Sequence, residues 1–195
     1  MIPYSGLLFF YVLFILLIPA IFLGINGKSL KKYGVIANIA ALILIFGNSK
    51  KQITLLMLFY IGELILVKFY LIIRRRYEQR WILWIMVVCS LIPLILDKWG
   101  NILLINRQLG FLGISYLTFK AVQVVMDLRD GVMKEYHPFR YIQFLLFFPT
   151  ISSGPIDRYR RFKKDLKNPP SAEKYLDFLE KGIFYLFLGF LYKDR

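Results

Sequence analysis

Residues 53–73 read ITLLMLFYIGELILVKFYLII, and Arg74-Arg75-Arg76 follow at once. As a helix these twenty-one residues reach roughly 32 Å, and a bilayer hydrocarbon core is about 30 Å thick. A basic cluster directly after an apolar run of that length is where cytoplasmic flanks carry their cations. The stretch is a predicted membrane helix, with one carboxylate, Glu63, at its centre.

Working outward, the same pattern repeats. Apolar runs at residues 4–25, 33–47, 53–73, 81–96 and 109–127 predict five spans, separated by polar or basic segments. Hydrophobic residues make up 58% of the chain and mean hydropathy is +0.57. Charges cluster between apolar runs instead of punctuating them, which is the pattern of an integral membrane protein, not of a soluble core. The predicted fold class is therefore all-α: a multi-span membrane domain over residues 1–195. Trp81, Trp84 and Trp99 sit near the ends of the fourth run, where amphipathic rings favour the interface.

The net charge of +14 does not point to nucleic acid. The cations border apolar spans, whereas a nucleic-acid surface needs a soluble fold to carry it. Membrane lipid, with its anionic headgroups, is the expected partner. Lys28, Lys31 and Lys32 share a side with the Arg74–Arg80 loop if the first four spans alternate. That places the N-terminus outside a plasma membrane, and Lys50-Lys51 opposes it only weakly. The first cation is Lys28 and the first apolar run is long, so a cleavable signal peptide is not expected. One cysteine, Cys89, can form neither an internal disulfide nor a metal cluster, and is expected as a small apolar filler.

The fifth span differs in kind. Tyr116, Lys120, Gln123 and Asp127 are spaced four, three and four apart, so they share one helical face. Leu117, Ala121, Val124, Val125 and Leu128 lie opposite. A lipid-facing helix cannot carry such a stripe cheaply, so it forms either an interhelical hydrogen-bond seam or the wall of a polar passage. After the turn at Arg129-Asp130-Gly131, residues 141–155 hold a short apolar run ending in Ser152-Ser153-Gly154-Pro155. Its length and basic flanks predict a re-entrant segment, which must be buried in protein or line a watered cavity. Asn168-Pro169-Pro170 breaks the chain, and Ser171 then caps a predicted amphipathic helix at 172–181 carrying an Asp177–Lys181 pair. Gly182 is expected to start a fresh span over 182–192. Eleven helical residues reach roughly 16 Å, so this span is expected to be truncated, as in the front part of a longer protein.

Chemistry-bearing groups are sparse. Glu63 is either paired with a basic residue on another helix or a direct proton or substrate contact; Lys68 lies on the wrong face to serve. Asp157 and Arg158 are an expected ion pair beside the Gly154-Pro155 turn, or part of a passage. Tyr116, Lys120, Gln123, Ser152 and Ser153 are candidate passage residues. Arg158, Arg160, Arg161, Lys163, Lys164 and Lys167 form a basic patch for lipid headgroups or an acidic protein. His137 is expected as a loop residue, with no second ligand at metal spacing. No phosphate loop or hydrolase nucleophile motif is present. No catalytic residue, bound cofactor or metal site is predicted within the chain.

Three stretches carry a resemblance: Leu112-Gly113-Ile114-Ser115-Tyr116-Leu117-Thr118-Phe119-Lys120, Arg129-Asp130-Gly131, and Phe148-Pro149-Thr150-Ile151-Ser152-Ser153-Gly154-Pro155-Ile156-Asp157-Arg158. Together they resemble the membrane-bound O-acyltransferase family, most of all its Gram-positive branch, which serves teichoic-acid D-alanylation. The likeness covers the chain but only the N-terminal half of the family's usual length. It implies an incomplete ring of helices around a central funnel. It also implies a donor thioester on the phosphopantetheine arm of a D-alanyl carrier protein, and acyl transfer towards teichoic acid in cell-wall biogenesis. Partners would be that carrier, other teichoic-acid pathway proteins and the missing C-terminal half. The family's catalytic histidine lies in that half. His137 does not take its role, and the chain alone is expected to be inactive. A non-catalytic membrane scaffold or a transporter fragment is the contrasting expectation.

Overall fold

The computed structural model describes residues 7–77, 79–100, 110–131, 133, 136–151 and 157–193. Among these residues the only regular structure is helical. In chain order the helices are α1 Leu7–Ile25, α2 Lys31–Phe46, α3 Lys50–Arg74, α4 Arg80–Gly100, α5 Ile114–Arg129, α6 Pro138–Leu145, a 3-10 turn Phe148–Thr150, α7 Tyr159–Lys167 and α8 Ala172–Lys193.

Two of these, α3 and α4, are long and apolar enough to cross a membrane. Their outward faces carry large apolar side chains: Leu58 and Ile65 on α3 are 60% and 62% exposed, and Trp84 on α4 is 64% exposed. Continuous apolar surface on this scale belongs in lipid, not water. The shorter helix α2, sixteen residues long, reaches about 24 Å.

Local sequence sets the boundaries. Lys50-Lys51 open α3, because Ser49 adopts an extended backbone and its hydroxyl accepts the Gln52 N–H at 3.4 Å. Such a cap satisfies one of the donors a helix start leaves free. At the far end of α4, Asp97-Lys98 continue the helix to Gly100 instead of ending it at residue 96. The start of α5 falls at Ile114, after the left-handed Gly113 (φ 85°). An L side chain there would cost about 1–2 kcal/mol.

Two expectations about the C-terminal third are corrected. The run at 141–155 is not one segment. In its described part, the eight-residue helix that begins at Pro138 ends at Leu145 and a 3-10 turn follows at Phe148–Thr150, because Pro149 withholds a donor from any continuing helix. Residues 152–156, including Ser152 and Ser153, lie outside the described residues. Nor does a new helix begin at Gly182: residues 172–193 form one uninterrupted helix of 22 residues. A single interior glycine costs only about 1 kcal/mol relative to alanine, and no proline interrupts the segment.

The core is organised around α5. It packs against α3, α4 and α6, while α2 meets α3 and the 3-10 turn, α6 meets α7, and α1 meets both α2 and α8. Leu117, Ala121, Val124, Val125 and Leu128 of α5 are completely buried. At the α1–α8 contact the helices approach so closely that a Cβ on Gly24 would overlap the Tyr175 ring.

Candidate functional site

The most polar part of the interior lies where α5, α6 and the 3-10 turn meet. Lys120 projects from α5 and is only 1% exposed. Its ammonium donates to the Phe144 carbonyl at 3.4 Å and to the Thr150 hydroxyl, and lies 5.3 Å from the centre of the Phe144 ring. Asp157 is within electrostatic reach. The Phe144 carbonyl lies in the last turn of α6, where carbonyls lack i,i+4 donors, and its backbone donor, the Phe147 N–H, is distant at 3.5 Å. Lys120 therefore acts as a C-terminal cap delivered from another helix, and the Thr150 hydroxyl passes the contact on by donating to the Phe147 carbonyl at 3.2 Å.

A second anchor comes from α2. The Asn38 side-chain oxygen accepts the Phe148 backbone N–H at 2.7 Å. Two polar side chains from two different helices thus hold the broken backbone in place. Around them is an aromatic cluster. The Phe144 ring lies 5.5 Å from Tyr159 and 5.6 Å from Phe162, and Phe147 lies 5.5 Å from Phe162.

Tyr159 and Phe162 belong to α7, a nine-residue basic helix. They point inward while Arg160, Arg161, Lys164 and Lys167 are exposed. The basic patch is therefore the outer face of an amphipathic helix. Asp157 does not pair with the Arg158 side chain as expected. It accepts the Arg158 backbone N–H at 2.8 Å and pairs with Arg161 at 2.7 Å. The i,i+4 spacing brings Arg161 onto the carboxylate, while Arg158 itself caps α7 with extended backbone.

Glu63 is 3% exposed, and the Ser90 hydroxyl of α4 donates to it at 3.1 Å. The expected basic partner is replaced by this neutral one, because α4 presents Ser90 at the same depth. Close by is a group of tyrosines. Glu63, Tyr60, Tyr136 and Tyr159 all act electrostatically on the Tyr141 hydroxyl. Burial, reinforced by Tyr159, pushes the Tyr136 hydroxyl up to about 12, so it stays a donor and reaches the Leu64 carbonyl at 3.4 Å. The hydroxyls of Tyr60, Tyr141, Tyr159 and Thr118 and the Gln123 side-chain oxygen are buried with no hydrogen-bond partner among the described residues.

Of the predicted stripe, then, Lys120 is fully enclosed, and Tyr116, Gln123 and Asp127 are half-buried. The apolar face opposite is enclosed as well, because helices pack on several sides of α5; only Phe119, Met126 and Arg129 stand out from it. Asn38, Ser90 and Thr150 escaped sequence reading. Each is a short polar residue in an apolar run, a pattern that flags buried hydrogen bonding, since a buried polar group needs a partner. His137 lies exposed at the start of α6, and among the described residues no group of His, Cys, Asp or Glu could hold a metal ion.

No protein-family profile matches the chain. It is 45% identical to a teichoic acid D-alanyltransferase of Bacillus subtilis over 99% of its own length and 51% of that protein's. To the protein of the same name from Lacticaseibacillus rhamnosus it is 40% identical over 98% of its length and 48% of the relative's. For the Streptococcus thermophilus protein the values are 37%, 98% and 46%. The chain spans about half the length of the curated relatives it matches.

Proposed function

We propose that this homologue of the teichoic acid D-alanyltransferases supplies the N-terminal part of a membrane acyltransferase that moves D-alanine from a carrier-protein thioester towards teichoic acid. The sequence likeness carries this reading: identity of 37–45% persists over nearly the whole chain. The geometry supports it in three ways. A broken, buried segment is clamped by Lys120 and Asn38, which suits a fixed wall beside a passage rather than a lipid-facing span. Hydroxyls and an amide oxygen from α3, α5, α6 and α7 that find no partner among the described residues give that interior the acceptors and donors a watered route needs. The exposed cations of α7 offer a docking face for a small acidic carrier protein.

In this reading the membrane is the plasma membrane, the chain is multi-pass with its N-terminus outside, and residues 141–155 re-enter from the cytoplasmic side. The reaction is attack of an acceptor hydroxyl on a thioester carbonyl, with release of the carrier's thiol. The phosphopantetheine arm belongs to the carrier and is a substrate, not a resident cofactor. Lys120, Tyr116 and Gln123 then orient and line, and the general base comes from polypeptide equivalent to the relatives' other half.

The test is reconstitution. This chain is co-expressed with the unmatched half of the Bacillus subtilis relative in a strain lacking that enzyme, and D-alanyl esters on teichoic acid are measured. Esters restored only when both halves are present support the reading. Their absence with both halves stably inserted and associated refutes it.

A further inference from the structure

Between α3 and α4 lies a cleft of about 330 Å³. Its walls are apolar, among them Leu55, Phe59 and Leu66 of α3 and Pro93 and Leu96 of α4, and among the described residues Glu63 is the one charged group lining it. We propose that this cleft binds a linear alkyl molecule with an ammonium head, the head seated at Glu63 and the tail running towards Leu55. This inference does not depend on the acyl-transfer reading.

The polar chemistry of the cleft is one-sided. A carboxylate has about four acceptor positions, and among the described residues Glu63 fills one, with Ser90. Pro93 has no N–H, so the Cys89 carbonyl one turn earlier lacks its helical donor; both residues line the cleft. Both acceptors belong to residues that line an otherwise apolar space, and a buried acceptor left unmet is costly. A ligand head that carries both donors and positive charge answers both, and an ammonium has three N–H groups.

The shape fits the rest of such a molecule. From Glu63 to Leu55 is eight residues, roughly 12 Å along the helix axis. The volume matches the lower end of small-molecule sites, which are concave and mostly apolar with a few fixed polar groups. Gly62 also lines the cleft, and a Cβ there would meet no other residue within 4 Å apart from its chain neighbours and the helix's own backbone.

The single cysteine of the chain is half-buried on the cleft wall, so maleimide modification of Cys89 reports occupancy. In lipid nanodiscs, decylamine is expected to slow that modification at least tenfold, and decanoate less than twofold. Glu63→Leu should abolish the protection by decylamine and Glu63→Gln should weaken it. Equal protection by decanoate, or decylamine protection unaltered in Glu63→Leu, overturns the proposal. A diazirine-bearing decylamine is the second measurement, decisive if Cys89 proves unreactive or Glu63→Leu fails to fold. Photo-adducts within residues 55–66 and 89–96 that free decylamine competes away support the site, and adducts scattered over lipid-facing surfaces overturn it.

Discussion

Thr150→Val is the sharpest test of the Lys120 clamp. Valine keeps the shape of threonine but removes the acceptor for a buried ammonium. A hydrogen bond to a charged group contributes about 1.5–3 kcal/mol, and the neutral bond to the Phe147 carbonyl about 0.5–1.5 kcal/mol more. The substitution should therefore destabilise by about 2–4.5 kcal/mol. Lys120→Met should cost less, about 0–2 kcal/mol, because removing a buried cation also removes its desolvation penalty. In the double variant the ammonium is gone, so only the neutral bond is left to lose. A double-mutant cycle should then show a coupling of about 1.5–3 kcal/mol, matching the charged bond alone. Equilibrium unfolding by denaturant in detergent micelles, with helix content as readout, measures all four corners. A coupling below about 0.5 kcal/mol, the level expected of independent sites, would refute the clamp.

Asn38→Leu should lower stability by about 1–3 kcal/mol by leaving the Phe148 N–H unmet, with Asn38→Asp retaining most of it in the same unfolding assay. Gly113→Ala should cost about 1–2 kcal/mol from its left-handed backbone, seen as a lower melting midpoint with helix content unaltered. Replacing Arg160, Arg161 and Lys164 with Glu should weaken binding of the D-alanyl carrier protein to nanodisc-embedded chain roughly tenfold or more at low salt, with the difference shrinking as salt rises; equal binding isotherms would remove the docking role of α7. Tyr136 is pushed up by burial, so its neutral form favours the fold, and that contribution is complete below pH 10 and lost as pH rises towards about 12. Tyr136→Phe should flatten the alkaline fall in stability over that window, measured by unfolding at successive pH values.

Apolar run length located helices α1 to α4, since long apolar runs flanked by charge favour helix; of these, α3 and α4 are long and apolar enough to span. The helix boundaries were less legible, because Ser49 capping and the continuation past Asp97 are decided within one turn. The 3.6-residue period placed Tyr116, Lys120, Gln123 and Asp127 together, and Lys120 does hold the interior. Periodicity along one helix does not reveal which neighbours surround it, so the burial of the opposite face of α5 was invisible. So was the identity of the partners. Asn38 and Phe148 are 110 residues apart and Lys120 and Thr150 are 30 apart, and nothing in a single sequence couples them. The break at residues 182–192 failed for a simpler reason: glycine weakens a helix but does not stop one.

The seat of Tyr175 on Gly24 has a consequence for biogenesis. The Tyr175 hydroxyl reaches back to the Ala20 carbonyl at 3.4 Å across 155 positions of chain. At synthesis rates of about 5–20 residues per second, the notch on the first helix waits roughly 8–30 s for its filler to leave the ribosome. Throughout that interval the notch is open to whatever the insertion machinery or the surrounding lipid presents. Quality control during assembly of this protein would thus turn on a residue made early and recognised late.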